Sequence, residues 1–375
     1  MTRFKDVKQI TVLASSSYTA GSATFTNLEP VTLSAGDKAI TLSAPNGNTI
    51  DIGSAVSVAP KDPAAVISVD SPGKLGRQYR GTLEVRLKSG RLQLVNDVRI
   101  EDYVVGVLVG EMPSSYPIEA LKAQAVAART YAIRCRGKHA SIGCDLCDAS
   151  HCQVYDGAAN ETSSCRRAVL ATAGQVLTYN GQLASTMYCT DCGGITECYG
   201  PSAPYLASVA EPREIPHSTW SMTYTLAELS AKLIAAGFKQ ADGLQKVSIS
   251  KMRSSGRAES VVFAGPKGTL TIDAARLRFV LGPGVIQSTM FAVQTSPDGT
   301  VTFNGKGCGH GLGMCQVGAR ALASPPFNYT FDQILAHYYP GTKLSGASGS
   351  AQPSATTGMP QQNAALRVRV TQPSL

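Results

Sequence analysis

The 375-residue chain has a single tryptophan, 6% aromatic residues and only 16% charged residues. Low charge combined with 43% hydrophobic content excludes disorder for most of the length, because such a chain can bury enough apolar surface to order its backbone. No apolar run approaches the roughly 20 residues that cross a bilayer. Met1 to Gln9 is polar and no apolar segment follows it, so neither a secretion signal nor a membrane anchor is expected. Neither G-x-x-x-x-G-K-[ST] nor G-x-S-x-G occurs, and nothing points to a nucleotide phosphate loop or a serine-hydrolase elbow. The basic residues are scattered without interleaved aromatics, which argues against a nucleic-acid partner. No cysteine precedes Cys135.

What is present begins with a formal charge of +8, which suits an anionic partner, be it cell-wall polymer, nucleic acid or membrane surface, without choosing among them. Residues 1–80 form a β-rich region. Ile10 to Leu13, Val31 to Leu33, Ala39 to Leu42, Thr49 to Ile52 and Ala64 to Val69 are β-favouring runs separated by Gly, Pro, Asn and Asp. Gly81 to Leu87 and Arg91 to Val98 read as a hairpin closed by Lys88-Ser89-Gly90. Tyr103 to Val109 reads as an apolar strand. The period then changes: Ile118, Leu121, Ala125, Ala128 and Ala132 make a helical face, with Ser114 or Ser115 as cap and Gly137 as stop. Residues 165–215 return to strands and loops. Further helices are predicted over Leu226 to Ala236, with Thr225 as cap, over Ala274 to Val280 and over Phe331 to Tyr339. The Ser, Gly, Ala, Pro and Gln content after Ser345 predicts a flexible tail. The sum is an α+β protein: a core over 81–217, completed by 301–344, a second lobe over 218–300, and a tail over 345–375. The long helix should lie beside an open groove.

Four places carry chemistry. Glu111, in Gly110-Glu111-Met112-Pro113, stands at the end of the apolar run, where desolvation can tune a carboxyl to work as a general acid. The plainer reading is a first-turn glutamate that complements a helix dipole. His139, Cys144, Cys147, His151 and Cys152 place five metal-type donors within fourteen residues. Structural zinc is favoured over disulfides there because a CxxC stands close to a His-Cys pair. Tyr188-Cys189-Thr190-Asp191-Cys192-Gly193-Gly194 and Gly307-Cys308-Gly309-His310-Gly311-Leu312-Gly313-Met314-Cys315 are glycine-rich loops that permit close backbone approach to a ligand. A second metal at Cys189, Cys192, Cys308 and Cys315 is conceivable, with disulfides or free thiols fitting as well.

The order of these motifs resembles the stage II sporulation protein D family, which shares a domain with the amidase enhancers. The resemblance rests on Glu101 to Val107, Gly110 to Pro113, Glu119 to Ala132, His151 to Tyr155, Cys192-Gly193-Gly194 with Thr196, Ser255-Gly256-Arg257, Gly309 to Met314 and Tyr338 to Gly341, over about residues 80–342. It implies a lytic transglycosylase that cuts MurNAc–GlcNAc bonds in peptidoglycan strands already stripped of stem peptides by a cell-wall amidase, as in sporulation engulfment. It implies Glu111 as the single acid and base, and a 1,6-anhydroMurNAc product. Tyr188, Cys192, Gly193, Gly194 and His310 would line the groove, with Gln124 and Arg129 as further groove candidates on the long helix. The family's zinc site maps to Cys147, His151 and Cys152, completed by His139 or Cys144. The implied place of action is outside the cytoplasm, at the wall or in the intermembrane space of sporulating cells.

The chain departs from the family pattern at Thr190-Asp191-Cys192, where the family has Ser-Thr-Ser, and at Cys315, where it has serine. Asp191 opens a second reading, a muramidase-type hydrolase in which this carboxylate activates water. A third reading is a non-catalytic, wall-binding or amidase-enhancing module.

Overall fold

The computed structural model describes residues 4–5, 7–346 and 365–372. The chain is mixed α+β and divides into two compact units, Met1–Val176 with Leu344–Leu375, and Leu177–Lys343.

The first unit opens with the β-rich region that the sequence predicts. Six strands pair in the order 74–80, 66–71, 9–14, 31–35, 40–43 and 49–51. Seven more pair in the order 146–147, 366–369, 91–98, 82–88, 55–60, 18–20 and 23–25. Alternating residues such as Ile10, Val12 and Ala14 are buried, the period-2 pattern of a sheet with one face on a core. The hairpin turn is tighter than the sequence suggests. Lys88 pairs with Arg91, leaving Ser89 and Gly90 as a two-residue loop, both with positive φ.

The segment before Glu111 is helical, not extended. Helix α1 spans Ile100–Glu111. Its valines favour a strand in isolation, but burial of Tyr103, Val104, Val107 and Leu108 at helical spacing overrides that preference. Helix α2 spans Ile118–Arg134, as predicted, although Pro117 rather than a serine sits at the cap. Helix α3, Ser163–Ala171, falls in a stretch expected to hold strands and loops; Thr162 caps it by accepting from Cys165 N.

The C-terminal stretch also departs from expectation. Residues 347–364 lie outside the described residues, but Leu366–Arg369 is a strand, antiparallel to Arg91–Val98 and parallel to Leu146–Cys147. Leu366, Val368 and Val370 are fully buried.

The second unit has its own core, built from two three-stranded sheets over 219–306 and two helices. Helix α4 spans Leu226–Ala235 and carries the full Thr225–Glu228 capping box. Helix α5 spans Ala274–Leu281, capped by Asp273. Trp220, Leu233, Val261, Phe263, Leu277, Phe291 and Phe303 fill the interior. Helices α6, Gln316–Leu322, and α7, Phe331–Tyr338, follow the second glycine loop.

Candidate functional site

Glu111 is the last residue of α1 and is half-buried. The helix dipole opposes a negative charge at that end, and no basic residue occupies the last turn. A dipole-complementing glutamate would stand at the other end, so helix stability does not account for its placement. The backbone N–H of Val154 donates to its Oε1 at 2.6 Å. Two glycines one turn apart make that contact possible. A Cβ on Gly106 would meet Tyr155 Cε2 at 2.5 Å, and one on Gly110 would meet the Val154 carbonyl at 2.7 Å. The chain at 154–157 therefore lies directly on α1.

That chain is the exit of the cysteine–histidine loop. The donor atoms of His139, Cys147, His151 and Cys152 all lie within 4.8 Å of one another. His139 Nε2 is 3.3 Å from Cys152 Sγ, and His151 Nδ1 is 3.7 Å from Cys152 Sγ and 3.8 Å from Cys147 Sγ. Four ligands about 2.0–2.3 Å from a tetrahedral ion stand about 3.3–3.8 Å apart, so the spacing fits a zinc-sized ion. Cys152 donating to Cys147, with His151 beside it, holds the Cys147 thiol well below the usual range. Cys144 is buried but outside the group, its sulfur 3.9 Å from the His139 carbonyl, so the fourth donor gathered here is His139. The short strand Leu146–Cys147 anchors the loop by pairing with Val368 and Arg369.

Gln124 and Arg129 do not line a groove. Helix α2 packs on both α1 and α3, and the two side chains are fully buried. Arg129 forks onto Glu101, at 2.6 Å in the closest contact, and donates to the Gln175 and Val169 carbonyls. It ties the helices together.

The second unit holds the other motif residues. Tyr188, half-buried, starts a short strand that pairs in parallel with Met314–Cys315. The glycines of the second loop permit close approach, but to the protein's own chain. A Cβ on Gly313 would meet the Met187 carbonyl at 1.9 Å, and one on Gly311 would meet the Arg257 guanidinium at 2.2 Å. Cys192 is fully buried and so offers no groove surface, whereas Gly193 and Gly194 are partly exposed.

Asp191 does not face solvent. It is 2% exposed. Its Oδ1 accepts from Gly193 N at 2.8 Å and from His217 Nδ1 at 2.7 Å, and its Oδ2 from Ser218 N and Oγ, both at 2.7 Å. Against the cost of burial, these donors pull its pKa down to about 2, which leaves a weak base with no free lone pair toward solvent. His217 faces Glu211 through its other nitrogen at 3.0 Å, and Tyr338 Oη donates to Glu211. Sequence reasoning missed His217 and Glu211, because nothing in their local pattern connects them to Asp191.

His310 lies on a cavity of about 390 Å³ whose walls include Tyr199, Arg253, Arg257, Arg278 and Phe279. Leu312 N–H donates to its Nδ1 at 3.0 Å, which requires the unprotonated nitrogen there. Loss of solvent on the cavity side, then Arg278 and Arg257, push its pKa down to about 4. Part of the ring stays in solvent, so the arginines and the Leu312 N–H carry the argument for a neutral imidazole. Arg257 and Arg278 send their own donors to backbone carbonyls, at Cys192, Ile195, Ile286 and Gln287. The cavity wall also carries Glu197 and Asp273, so its charge is mixed. A larger one, about 600 Å³ beside Trp220 and Met290, has Lys306 as its one ionisable wall residue.

A family model described as Stage II sporulation protein matches residues 88–179, which contain Glu111 and the four-donor loop. Stage II sporulation protein D of Bacillus subtilis is 34% identical over 276 residues, 68% of this chain and 77% of its own length. The chain belongs to the stage II sporulation protein D family. An uncharacterised protein of Brachyspira hyodysenteriae is also 34% identical, over 72% of this chain and 73% of its own. The Amidase enhancer of Bacillus subtilis is 31% identical over 64% of this chain but only 40% of its own length. A second model, for a domain of unknown function, matches residues 206–313. That span brackets the core of this family member's second unit and the His310 loop.

Proposed function

We propose that this protein is a peptidoglycan lytic transglycosylase that acts on glycan strands after a cell-wall amidase has removed their stem peptides. The observation that carries the reading is Glu111: a half-exposed carboxyl at the dipole-disfavoured end of a helix, aligned by the Val154 N–H, in the segment matched to the sporulation family. The protonated Glu111 donates to the glycosidic oxygen as the MurNAc–GlcNAc bond breaks. The resulting carboxylate then takes the proton of the MurNAc 6-hydroxyl as that oxygen closes on C1. One carboxyl serves both steps, so no water-activating partner is needed. Saturation of Asp191 counts against the hydrolytic alternative that rested on it.

Zinc at His139, Cys147, His151 and Cys152 would act structurally. The four side chains would fill all four positions of a tetrahedral ion, and the ion would order a loop that has little core of its own. Its contribution reaches Glu111 through Cys152, Gln153 and Val154. In the second unit, Tyr188, Gly193, Gly194 and His310 would hold the glycan. Arg253 on the cavity wall would take a free lactyl carboxylate of a denuded strand, and Tyr199 and Phe279 suit its sugar faces. The place of action is outside the cytoplasm, at the wall.

The test compares wild type with Glu111→Gln on denuded strands. Cleavage lost with strand binding retained supports the reading. Binding without cleavage by either protein would move the function to a wall-binding module.

A further inference from the structure

We propose that Asp191, Cys192, His217 and Cys315 form a second, closed site for a divalent transition-metal cation of the zinc type. Their ligand atoms all lie within 4.8 Å of one another, inside a single compact unit. Two sulfurs, one imidazole nitrogen and one carboxylate oxygen are a donor set that zinc accepts. Three of the four residues are at most 2% exposed, and the His217 side chain is 11% exposed.

The sulfurs carry the argument. Cys192 Sγ accepts from Gly194 N at 3.4 Å. Cys315 Sγ accepts from Cys192 N at 3.2 Å and from Gly318 N at 3.3 Å. Three backbone N–H groups thus point at two buried sulfurs and fix where both sit. As ligands the two sulfurs would be thiolates, and a thiolate at this depth needs a cation beside it. His217 could provide only one charge, and Asp191 and Glu211 already flank it. The buried Nε2 of His217 and Oε2 of Glu211, 3.0 Å apart, lack hydrogen-bond alignment, so the protein alone does not satisfy this cluster. A bound dication balances the thiolates, and Glu211 then serves as the carboxylate behind a ligating histidine, with Tyr338 behind it.

The ion takes the place of the proton that His217 Nδ1 shares with Asp191 and of the two thiol protons. Asp191 Oδ1 and His217 Nδ1 must part from 2.7 Å to about 3.3 Å, the spacing of two ligands on one ion. Its Gly193 and Ser218 donors can continue to hold Asp191. Cys189 and Cys308 fall outside this group. The site would pin the loop before Gly193, the His217 segment and the start of α6 to one another.

The test is metal content of the purified full chain, loaded with Zn²⁺ and measured by elemental mass spectrometry. Three proteins are compared: wild type, Cys147→Ser with Cys152→Ser, and Cys192→Ser with Cys315→Ser. Two equivalents in wild type and one in each double variant support both sites. One equivalent that survives the 147/152 change and is lost in the 192/315 change supports this site and overturns the first. One equivalent with the opposite behaviour, or none at all, overturns this inference. Because the 192/315 variant could misfold, wild type is also titrated with Co²⁺. Saturation at two equivalents supports the second site, and saturation at one overturns it. A mass lower by two hydrogens that maps to a Cys192–Cys315 disulfide overturns it as well.

Discussion

The two donor clusters of this protein differ in how they are built. One places its four donors within fourteen consecutive positions, from His139 to Cys152, on a loop with a partly exposed rim. The other draws on Asp191 and Cys192, then His217, then Cys315, and lies almost wholly in the interior. The first can be read from spacing, because its ligands are local. The second exists only once the chain has folded. They should fail differently: loss of the first loosens one loop, and loss of the second strikes the middle of a unit.

The contrast can be broken at several points. The largest effect belongs to Glu111, which the first cluster steadies. Glu111→Gln should lower glycan cleavage by about 10²–10⁴-fold, the range for removal of a general acid, with little change in thermal unfolding. Retained cleavage in a strand-digestion assay would separate the loop from any chemistry. Next comes His217→Ala. It leaves Asp191 and Glu211 buried without their shared partner and should cost about 3–5 kcal/mol in urea unfolding. A change below about 1 kcal/mol would make the second cluster no more central than the first.

Smaller still is Cys147→Ser with Cys152→Ser. Global unfolding should shift less than in His217→Ala, while cleavage falls roughly tenfold, because Val154 no longer holds Glu111 so firmly. Hydrogen exchange should rise over residues 139–157 and not over the second unit. The smallest effect is electrostatic. The folded pKa of His310 lies below its unfolded value of 6.5, so the neutral ring is the favoured state. Stability from this source is complete above about pH 6.5 and is lost as pH falls toward about 4. Arg278→Ala should raise the His310 titration seen by NMR, and a midpoint that stays put would assign the shift to solvent exclusion alone.

How far the sequence could be read follows the same division between local and distant. The β-rich start, the alanine-rich α2 and the Thr225 helix cap all rest on neighbouring residues, and all are present. The valines around Glu111 mislead, because burial against other helices outweighs strand preference in α1. Leu366-Arg367-Val368-Arg369-Val370 does alternate as a strand should, but the low-complexity stretch before it hides the signal. Gln124 and Arg129 look available on a helix drawn alone; only the packing of α1 and α3 shows that both faces are covered. Asp191 reads as a spare carboxylate until four donors converge on it from residues 193, 217 and 218.

The most direct test of the account is digestion of denuded glycan strands in water enriched in heavy oxygen, with the new ends read by mass spectrometry. Intramolecular closure assisted by Glu111 predicts 1,6-anhydroMurNAc ends that carry no heavy oxygen. Reducing ends that carry it would contradict the account, since water would then be the nucleophile.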